Sequence, residues 1–431
     1  MSSEIDVVIV GAGAAGIAAS RQLAKGRCSA VMVEALPRPG GRAWTTVAGG
    51  YRLDLGCGWL HSADRNPWSR IAEENGFAVD RREAAWGKQF GDLGFLPEEQ
   101  RAARQALQEW EKRLPAVVED SDCAGDALTP ENKWNPYVQA ICGFSNGVAP
   151  DLMSASDYLA YDAACTYRNW RVPDGYGTMI TASIPSQIPV WLDTPIHSLI
   201  DNGRRLKIET SRGSISARAA IMTVSTNVLA GDAIKLPGVL DPWRHAAARL
   251  PLGHDEKLFL NIHDADAFSP ETHLIGNPYD SATCDFYIRP FGRPIVECYL
   301  GGDSALIVAR HGLEAGYRLA IDQLAHLLGS DIRSKLSPLV GSSWCSTDRI
   351  GGAYSCALPG QATARRSLAR SWDQRIFFAG EATHSYDFST AHGAYESGLR
   401  AADEALAALN LSRVVFQPLM TPTAKIHEAV S

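Results

Sequence analysis

No run of about eighteen apolar residues occurs in the 431-residue chain, so no membrane-spanning helix is expected. The first strand-like run begins at Ile5, which leaves no room for a signal peptide. Positive charge is not in excess either. The 41 basic and 48 acidic residues are spread along the chain and give a net charge of −7, with no basic stripe for nucleic acid or anionic lipid. The nine cysteines are odd in number, scattered, and form no C-x-x-C pair, which argues against a disulfide framework. Most are expected to be buried small apolar residues in a reducing compartment. The eleven histidines are equally dispersed, and no Cys/His set has zinc-ligand spacing, so no metal is expected. Internal repeats and low-complexity segments are absent as well. These absences predict a soluble, cytoplasmic protein with no nucleic-acid or membrane partner, and they leave oligomeric state unread. What is present is 45% hydrophobic residues over a length better served by two domains than one.

Ile5 to Val10 is a continuous apolar run suited to a strand buried on both faces, and it leads into Gly11-Ala12-Gly13-Ala14-Ala15-Gly16 and a small-residue helix from Ile17 to Ala24. Strand, glycine turn and helix in this order fit G-x-G-x-x-G. Gly11, Gly13 and Gly16 permit the turn and close backbone approach, and free N–H groups at Ala14 and Ala15 can hold a pyrophosphate. The motif alone is weak. A second short strand, Ala30 to Val33, ends in Glu34, at the spacing where a carboxylate accepts the hydroxyls of an adenosine ribose.

Further along, Tyr51 to His61 begins with alternation and is then broken by Gly56 and Gly58, which let backbone approach something flat. Helical spacing predicts helices over Asn66–Asn75 (with Gly76 as its stop), Pro97–Val117 and Asn135–Phe144. The last two belong to a cap over a cavity. A turn cluster at Pro173–Gly177 precedes a helix at Thr178–Ile184 and strands at Val190–Leu192, Ile196–Ile200 and Leu206–Thr210. Hairpin-type turns are expected at Asp201–Gly203 and Ser211–Gly213. Ala219 to Val224 reads as another buried strand that rejoins the sheet begun at Ile5. Strands at Lys257–Ile262, Cys284–Ile288 and Ile295–Leu300 alternate with a helix at Leu313–Leu328, and the chain returns through the strand Ile376–Glu381 and a helix from Gly393 to Leu409.

Pro39-Gly40-Gly41-Arg42 resembles the second glycine pair and arginine that flavoprotein oxidases place beside the FAD pyrophosphate. Together with the Gly11–Gly16 turn and Glu34, the segment Gly56 to His61, Trp344 with Gly351-Gly352-Ala353-Tyr354, and Phe378 to Thr383 with Thr390 to Ala394, it makes the chain resemble the FAD-dependent amine oxidase family over nearly its whole length. That family includes monoamine oxidases, polyamine oxidases and bacterial relatives such as hydroxynicotine oxidases. The resemblance implies an α/β fold with a discontinuous Rossmann-like FAD-binding domain of the glutathione-reductase type, interleaved with an α+β substrate domain bearing a helical cap. The expected division is 1–75, 175–247 and 346–410 for the FAD domain, 76–174 and 248–345 for the substrate domain, and 411–431 as a tail.

Carried over by position, the resemblance places Ile196 backbone at the adenine, Arg42 and Glu381, with Gly41 and Gly380 beside them, near the pyrophosphate and ribityl chain, and the Ala391 N–H at the flavin's pyrimidine edge. A helix start suits the negative charge that reduced flavin carries there. Lys257 matches the lysine that holds a water at the flavin edge. Trp344 matches the tryptophan beside the flavin, and Tyr354 matches one wall of the aromatic cage that aligns the amine. Gly58, Trp59, His61 and Thr390 complete the implied flavin and substrate contacts.

Three departures from the pattern are informative. Ala353 replaces the flavin-bonding cysteine of monoamine oxidases, so FAD is expected to be non-covalent. Thr390 replaces a second cage tyrosine, as in polyamine oxidases, which also share the Trp59-x-His61 pattern. No arginine stands in the Trp59–His61 loop to receive a substrate carboxylate. The expected activity is oxidation of a polyamine, monoamine or cyclic amine, with oxygen reduced to hydrogen peroxide. The alternatives are an FAD-dependent desaturase of an isoprenoid or polyene and a flavin-bound interaction protein.

Overall fold

A computed structural model of the chain describes residues 5–86 and 95–411. Strands β1 (Ile5–Val10) and β2 (Ala30–Val33) are followed by the hairpin β3 (Thr45–Ala48) and β4 (Tyr51–Asp54). The short β5 (Trp59–Leu60) pairs with β6 (Trp170–Arg171) across an intervening run of helices. Then come β7 (Val190–Trp191), β8 (Ile196–Asp201), β9 (Leu206–Thr210), β10 (Gly213–Met222), β11 (Asp255–Ile262), β12 (Thr272–Ile275), β13 (Asp285–Ile288), β14 (Ile295–Gly301), β15 (Leu336–Gly341) and β16 (Ile376–Phe378).

The first sheet runs β7-β2-β1-β10-β9-β8, with β16 also on β10. Val7 to Val10 lie parallel to Ala219 to Met222, which is the rejoining expected from two distant apolar runs. β10 begins earlier than its apolar run, at Gly213, because its first half pairs antiparallel with β9 before its second half enters the parallel sheet. Both faces of β1 are covered. Val7 and Ile9 pack with the helices Ala14–Leu23 and Ala391–Ala408, and Val8 and Val10 pack with residues of β8, β9 and β10. The two helices touch so closely that a Cβ on Gly398 would lie 2.1 Å from the Ala15 carbonyl, which is why small residues fill both.

The second sheet, β12-β13-β14-β11-β15, is antiparallel throughout and two-faced. Leu258, Leu260, Phe286, Ile288, Val296, Cys298 and Leu300 pack against Ala320 and Leu324 of the helix Leu313–Leu328. Their alternates, Lys257, Asp285, Tyr287, Glu297 and Tyr299, face a cavity.

The helices Pro97–Asp120 and Asn135–Asn146 stand where helical spacing placed them. A third cap helix, Ala155–Ala164, was not foreseen. Ser154 caps it, and Asp157 in its first turn forms a buried two-point ion pair with Arg365 (2.7 Å). Two helices start earlier than expected. The Asp54 carboxylate accepts the N–H groups of Tyr176 and Gly177, so the helix there is Tyr176–Ala182, and the Thr390 hydroxyl caps the last helix at Ala391. The turn after β8 is longer than Asp201–Gly203, since β9 begins only at Leu206. The expectation of mostly buried cysteines needs correction: Cys142, Cys284, Cys298 and Cys356 are buried, the other five are partly exposed, and all nine are free. Among the described residues no helix is long and apolar enough to cross a membrane. The tail assigned to 411–431 lies, apart from Leu411, outside the described residues.

Candidate active site

A cavity of about 730 Å³ runs from the glycine turn of the first sheet to the polar face of the second. At one end Gly11 has φ +107°, and a Cβ there would come 2.4 Å from Thr223 Oγ1. Gly13 has ordinary backbone angles, and a Cβ on it would meet nothing in the chain closer than Gly40 O at 3.8 Å. Its smallness therefore serves the cavity and not the protein's own packing. No side chain caps the helix start, and Gly13 bridges to Gly40, which brings the Pro39–Arg42 loop alongside. These features fit a dinucleotide pyrophosphate at a helix N-terminus. Glu34 ends β2 beside them. Its Oε2 accepts from the Ala12 N–H (2.7 Å) and its Oε1 from the Leu36 N–H (2.9 Å). Burial pushes this carboxyl up, and the backbone N–H groups work against that rise.

In mid-cavity Arg42 bonds Glu381 (2.9 Å) and the Ala353 carbonyl. Burial would raise Glu381, but Arg42 and Arg365 hold it below its ordinary range. Gly56 lies so close to this loop that a Cβ would overlap the Arg42 carbonyl at 1.7 Å, and a Cβ on Gly58 would lie 2.9 Å from Lys257 Nζ. Lys257 itself is 7% exposed on the interior strand β11, flanked by β14 and β15, and pairs with Glu297 (2.8 Å). It is no strand-edge charge. Burial pulls the ammonium down, and Glu297, joined by Asp54 and Cys57, more than offsets this, so it is raised above its ordinary value.

The far end is aromatic. The Tyr354 hydroxyl donates to the Phe144 carbonyl (2.6 Å) and accepts from the Tyr299 hydroxyl (2.9 Å), whose oxygen lies 3.1 Å from Asp255 Oδ1. Trp59 stands near Trp86 (ring centroids 4.4 Å) and Tyr287 (5.9 Å), and Trp344 donates its indole N–H to the Leu55 carbonyl (3.0 Å). His61 lines the cavity, and burial pushes its imidazole down to about 4.

Of the residues proposed from sequence, Gly11, Gly13, Ala14, Ala15, Glu34, Gly41, Arg42, Gly58, Trp59, His61, Ile196, Lys257, Trp344, Tyr354, Gly380, Glu381, Thr390 and Ala391 all line this one cavity. Gly16 does not. It packs on the turn, where a Cβ would overlap the Gly11 carbonyl at 2.0 Å. The Thr390 hydroxyl donates to the Asp387 carbonyl and accepts the Gly393 N–H where the residue lines the cavity. Tyr354 is not a lone aromatic wall, since Tyr299, Phe144 and Tyr287 stand with it. Glu297, Tyr299 and Asp285 were missed, although alternation in Cys284 to Ile288 and in Glu297 to Leu300 carries their signal. One group of metal-ligand type, His384, Asp387 and Glu396, occurs among the described residues, with Arg65 on both Asp387 oxygens (2.5 and 2.7 Å).

A family model of flavin-containing amine oxidoreductases matches residues 14–406. Similar curated proteins include polyamine oxidase 3 of Oryza sativa subsp. japonica, 26% identical over 92% of this chain and 88% of that one. Pseudooxynicotine dehydrogenase of a Pseudomonas species is 23% identical over 92% and 85%. Among solved structures, wild-type putrescine oxidase bound to putrescine has a TM-score of 0.74 at 18% identity, over 94% of this chain and 99% of that one, a likeness of fold.

Proposed function

The chain belongs to the flavin-containing amine oxidoreductase family and its cofactor is FAD, and from that premise we propose that it oxidises an amine that leaves the Lys257–Glu297 floor facing the flavin cradle. The substrate is a polyamine, a monoamine or a cyclic amine such as a hydroxynicotine, the acceptor is oxygen, and the enzyme works in the cytoplasm. The single observation that carries this reading is the shared cavity: a cradle for a dinucleotide at one end, and at the other a sheet face bearing a buried cation and an aromatic wall. Neither the polyene desaturase nor the flavin-bound interaction protein has a comparable observation in its favour.

The chemistry FAD supplies when bound is acceptance of a hydride from the carbon beside the amine nitrogen and delivery of two electrons to oxygen, leaving an imine and hydrogen peroxide. The chain supplies binding, orientation and exclusion of water. Gly11, Gly13, Ala14, Ala15, Glu34, Arg42, Ile196, Gly380 and Glu381 would hold the cofactor, with the Ala391 N–H at the capped start of the last helix. Ala353 at the position of the bonding cysteine supports a non-covalent attachment. Tyr354 and Tyr299, fixed to each other and to Phe144, form a rigid wall for the amine. A cavity bounded by Trp59, Trp344 and Tyr287 disfavours an isolated ammonium and so favours the neutral amine that can react. We place 1–75, 175–247 and 346–410 in the cofactor domain, and 76–174 and 248–345 in the substrate domain.

Anaerobic addition of a panel of polyamines, monoamines and cyclic amines to the holoenzyme tests the reading. At least one should bleach the flavin and, on admission of air, yield peroxide. A flavin left oxidised by every amine would overturn it.

A further inference from the structure

Asp255 opens β11, is 3% exposed and lines the cavity. Three oxygen–oxygen contacts run from it in a row: Asp255 Oδ1 to the Tyr299 hydroxyl (3.1 Å), that hydroxyl to the one of Tyr354 (2.9 Å), and Tyr354 to the Phe144 carbonyl (2.6 Å). Each contact needs a proton between its two oxygens, because facing lone pairs at these distances repel. The two tyrosine hydroxyls carry one proton each and the carbonyl carries none, so the third proton must come from Asp255. The direction is fixed as well. Phe144 stands in the last turn of its helix, where carbonyls lack an intrahelical partner, and it can only accept. Tyr354 therefore donates to Phe144, Tyr299 donates to Tyr354, and the proton of the remaining contact sits on Asp255 Oδ1.

The other oxygen agrees with this count. Oδ2 is buried against Gly147, on which a Cβ would come 2.5 Å from it, and it has no hydrogen-bond partner among the described residues. Buried carboxylates elsewhere in the chain gather donors. Glu381 receives Arg42, the Ser355 N–H and hydroxyl and the Ser389 N–H, and Asp157 receives Arg365 at two points. An orphaned oxygen costs far more on a charged carboxylate than on a neutral acid. Burial accordingly pushes the Asp255 carboxyl well above its ordinary value, the hydroxyls of Tyr354 and Tyr299 pull it only partly back, and the charge of Glu256 adds to the rise.

We infer that Asp255 stands in the enzyme as a neutral carboxylic acid, a positioning residue that gives the Tyr299–Tyr354 wall a proton and no charge. The inference rests on the amine-oxidising reading and adds to it how the wall is kept in order. An ionised Asp255 would draw the Tyr299 proton to itself through the stronger, charge-assisted bond, and the two phenol oxygens would then face each other at 2.9 Å with no proton between them. The neutral acid leaves that proton to Tyr354. It also offers no counter-ion to an ammonium beside the wall, which suits an amine that reacts in its neutral form.

The test has two arms on the holoenzyme. In oxidised, substrate-free protein whose aspartates carry ¹³C at the side-chain carboxyl, the Asp255 signal is identified by its loss in Asp255→Asn. At about pH 6.5, where an ordinary aspartate is fully ionised, it should stand at the chemical shift of a protonated acid. A carboxylate shift there overturns the inference without touching amine oxidation, just as a flavin that no amine bleaches would leave the proton count intact. The second arm separates proton from charge by timing flavin reduction under saturating amine. Asp255→Leu keeps the bulk and removes the donor, so Tyr299 loses its anchor and reduction should slow by about threefold or more. Asp255→Asn is equally uncharged, but its amide Nδ2–H can donate to Tyr299, and it should recover most of that loss. An asparagine variant as slow as the leucine one would assign Asp255 a charge and overturn the inference, and a leucine variant as fast as wild type would remove its positioning role. Should either variant fail to fold or to retain flavin, the carboxyl signal of the wild-type protein, assigned then through Asp255→Glu, decides by itself.

Discussion

Gly58→Ala probes whether the Lys257 ammonium must sit where the structure places it. The added methyl would lie 2.9 Å from Lys257 Nζ and 3.4 Å from Asp54 Cβ, on a loop fixed from behind by the overlap-free fit of Gly56 against the Arg42 carbonyl. Ordinary carbon contacts need about 3.5 to 4 Å, so the ammonium has to retreat by roughly 0.6 to 1 Å. Its tether to Glu297 at 2.8 Å opposes that movement. Misplacing a reacting group by about 1 Å can cost on the order of 100-fold in rate, which sets the upper bound, and partial yielding of a flexible side chain sets a lower bound of about threefold. Fold stability should change little, because the alanine restricts the unfolded chain by about as much as the contact strains the folded one. Stopped-flow measurement of flavin reduction by saturating amine, and of reoxidation by oxygen, should show a slowing within that range in at least one half of the cycle, with flavin occupancy and melting temperature near wild type. The control is Lys257→Met, whose shorter neutral side chain removes the clash, so Gly58→Ala in that background should have no further effect. Wild-type rates in both halves for Gly58→Ala, or equal slowing with and without the lysine, would refute the placement of Lys257 at the reacting edge.

Acid or heat precipitation should release all the flavin to the supernatant. Ala353 offers no sulfur, Cys356 is buried away from the cavity, and burial pushes Cys57, which lines it, up to about 12 and so keeps it a thiol; flavin retained in the pellet would refute this. Tyr354→Phe should lower stability by about 1 to 3 kcal/mol in denaturant melts because it leaves the Phe144 carbonyl and the Tyr299 hydroxyl short of a partner, while Tyr354→Ala should also slow flavin reduction by an order of magnitude or more. Asp157→Ala should cost about 3 to 5 kcal/mol, since it strands the buried Arg365 charge, and an unchanged melt would contradict the two-point pair. For His61, burial lowers the folded imidazole to about 4 from 6.5, so the unfolded chain binds more protons between those values and stability falls as pH drops through that window; His61→Phe should flatten this fall, which melting curves from pH 7 to pH 4 would detect.

The cofactor end was legible because its residues act through local geometry. Gly11, Gly13 and Glu34 are set by one strand-turn-helix-strand unit, and each signal lies within a short stretch of chain. Lys257 was legible only through motif order. Its place inside the sheet was not legible, because strand order depends on pairings of β11 with β14 and β15 that its own residues do not announce. Tyr299 and Glu297 were hidden for the same reason, since alternation marks a two-faced strand without saying which face meets a cavity. Asn169 lies in a loop with no pattern at all and meets His61 (2.7 Å) only through the β5–β6 ladder of two residue pairs. The helix Ala155–Ala164 escaped because much of its holding comes from afar, from the pairing of Asp157 with Arg365.

In the second sheet, the chemical floor and the hydrophobic core are opposite sides of the same strands, with Lys257, Glu297 and Tyr299 alternating with Leu258, Cys298 and Leu300. Substitutions at the cavity-facing positions can reshape what the enzyme accepts while the core residues between them stay as they are. An insertion or deletion of one residue within β13 or β14 is different in kind, because it would turn Phe286 or Cys298 into the cavity and carry Glu297 or Asp285 into the apolar layer. Substrate range in this scaffold is therefore free to drift by replacement and closed to drift by change of length, and laboratory libraries aimed at new amines should keep the length of these strands fixed.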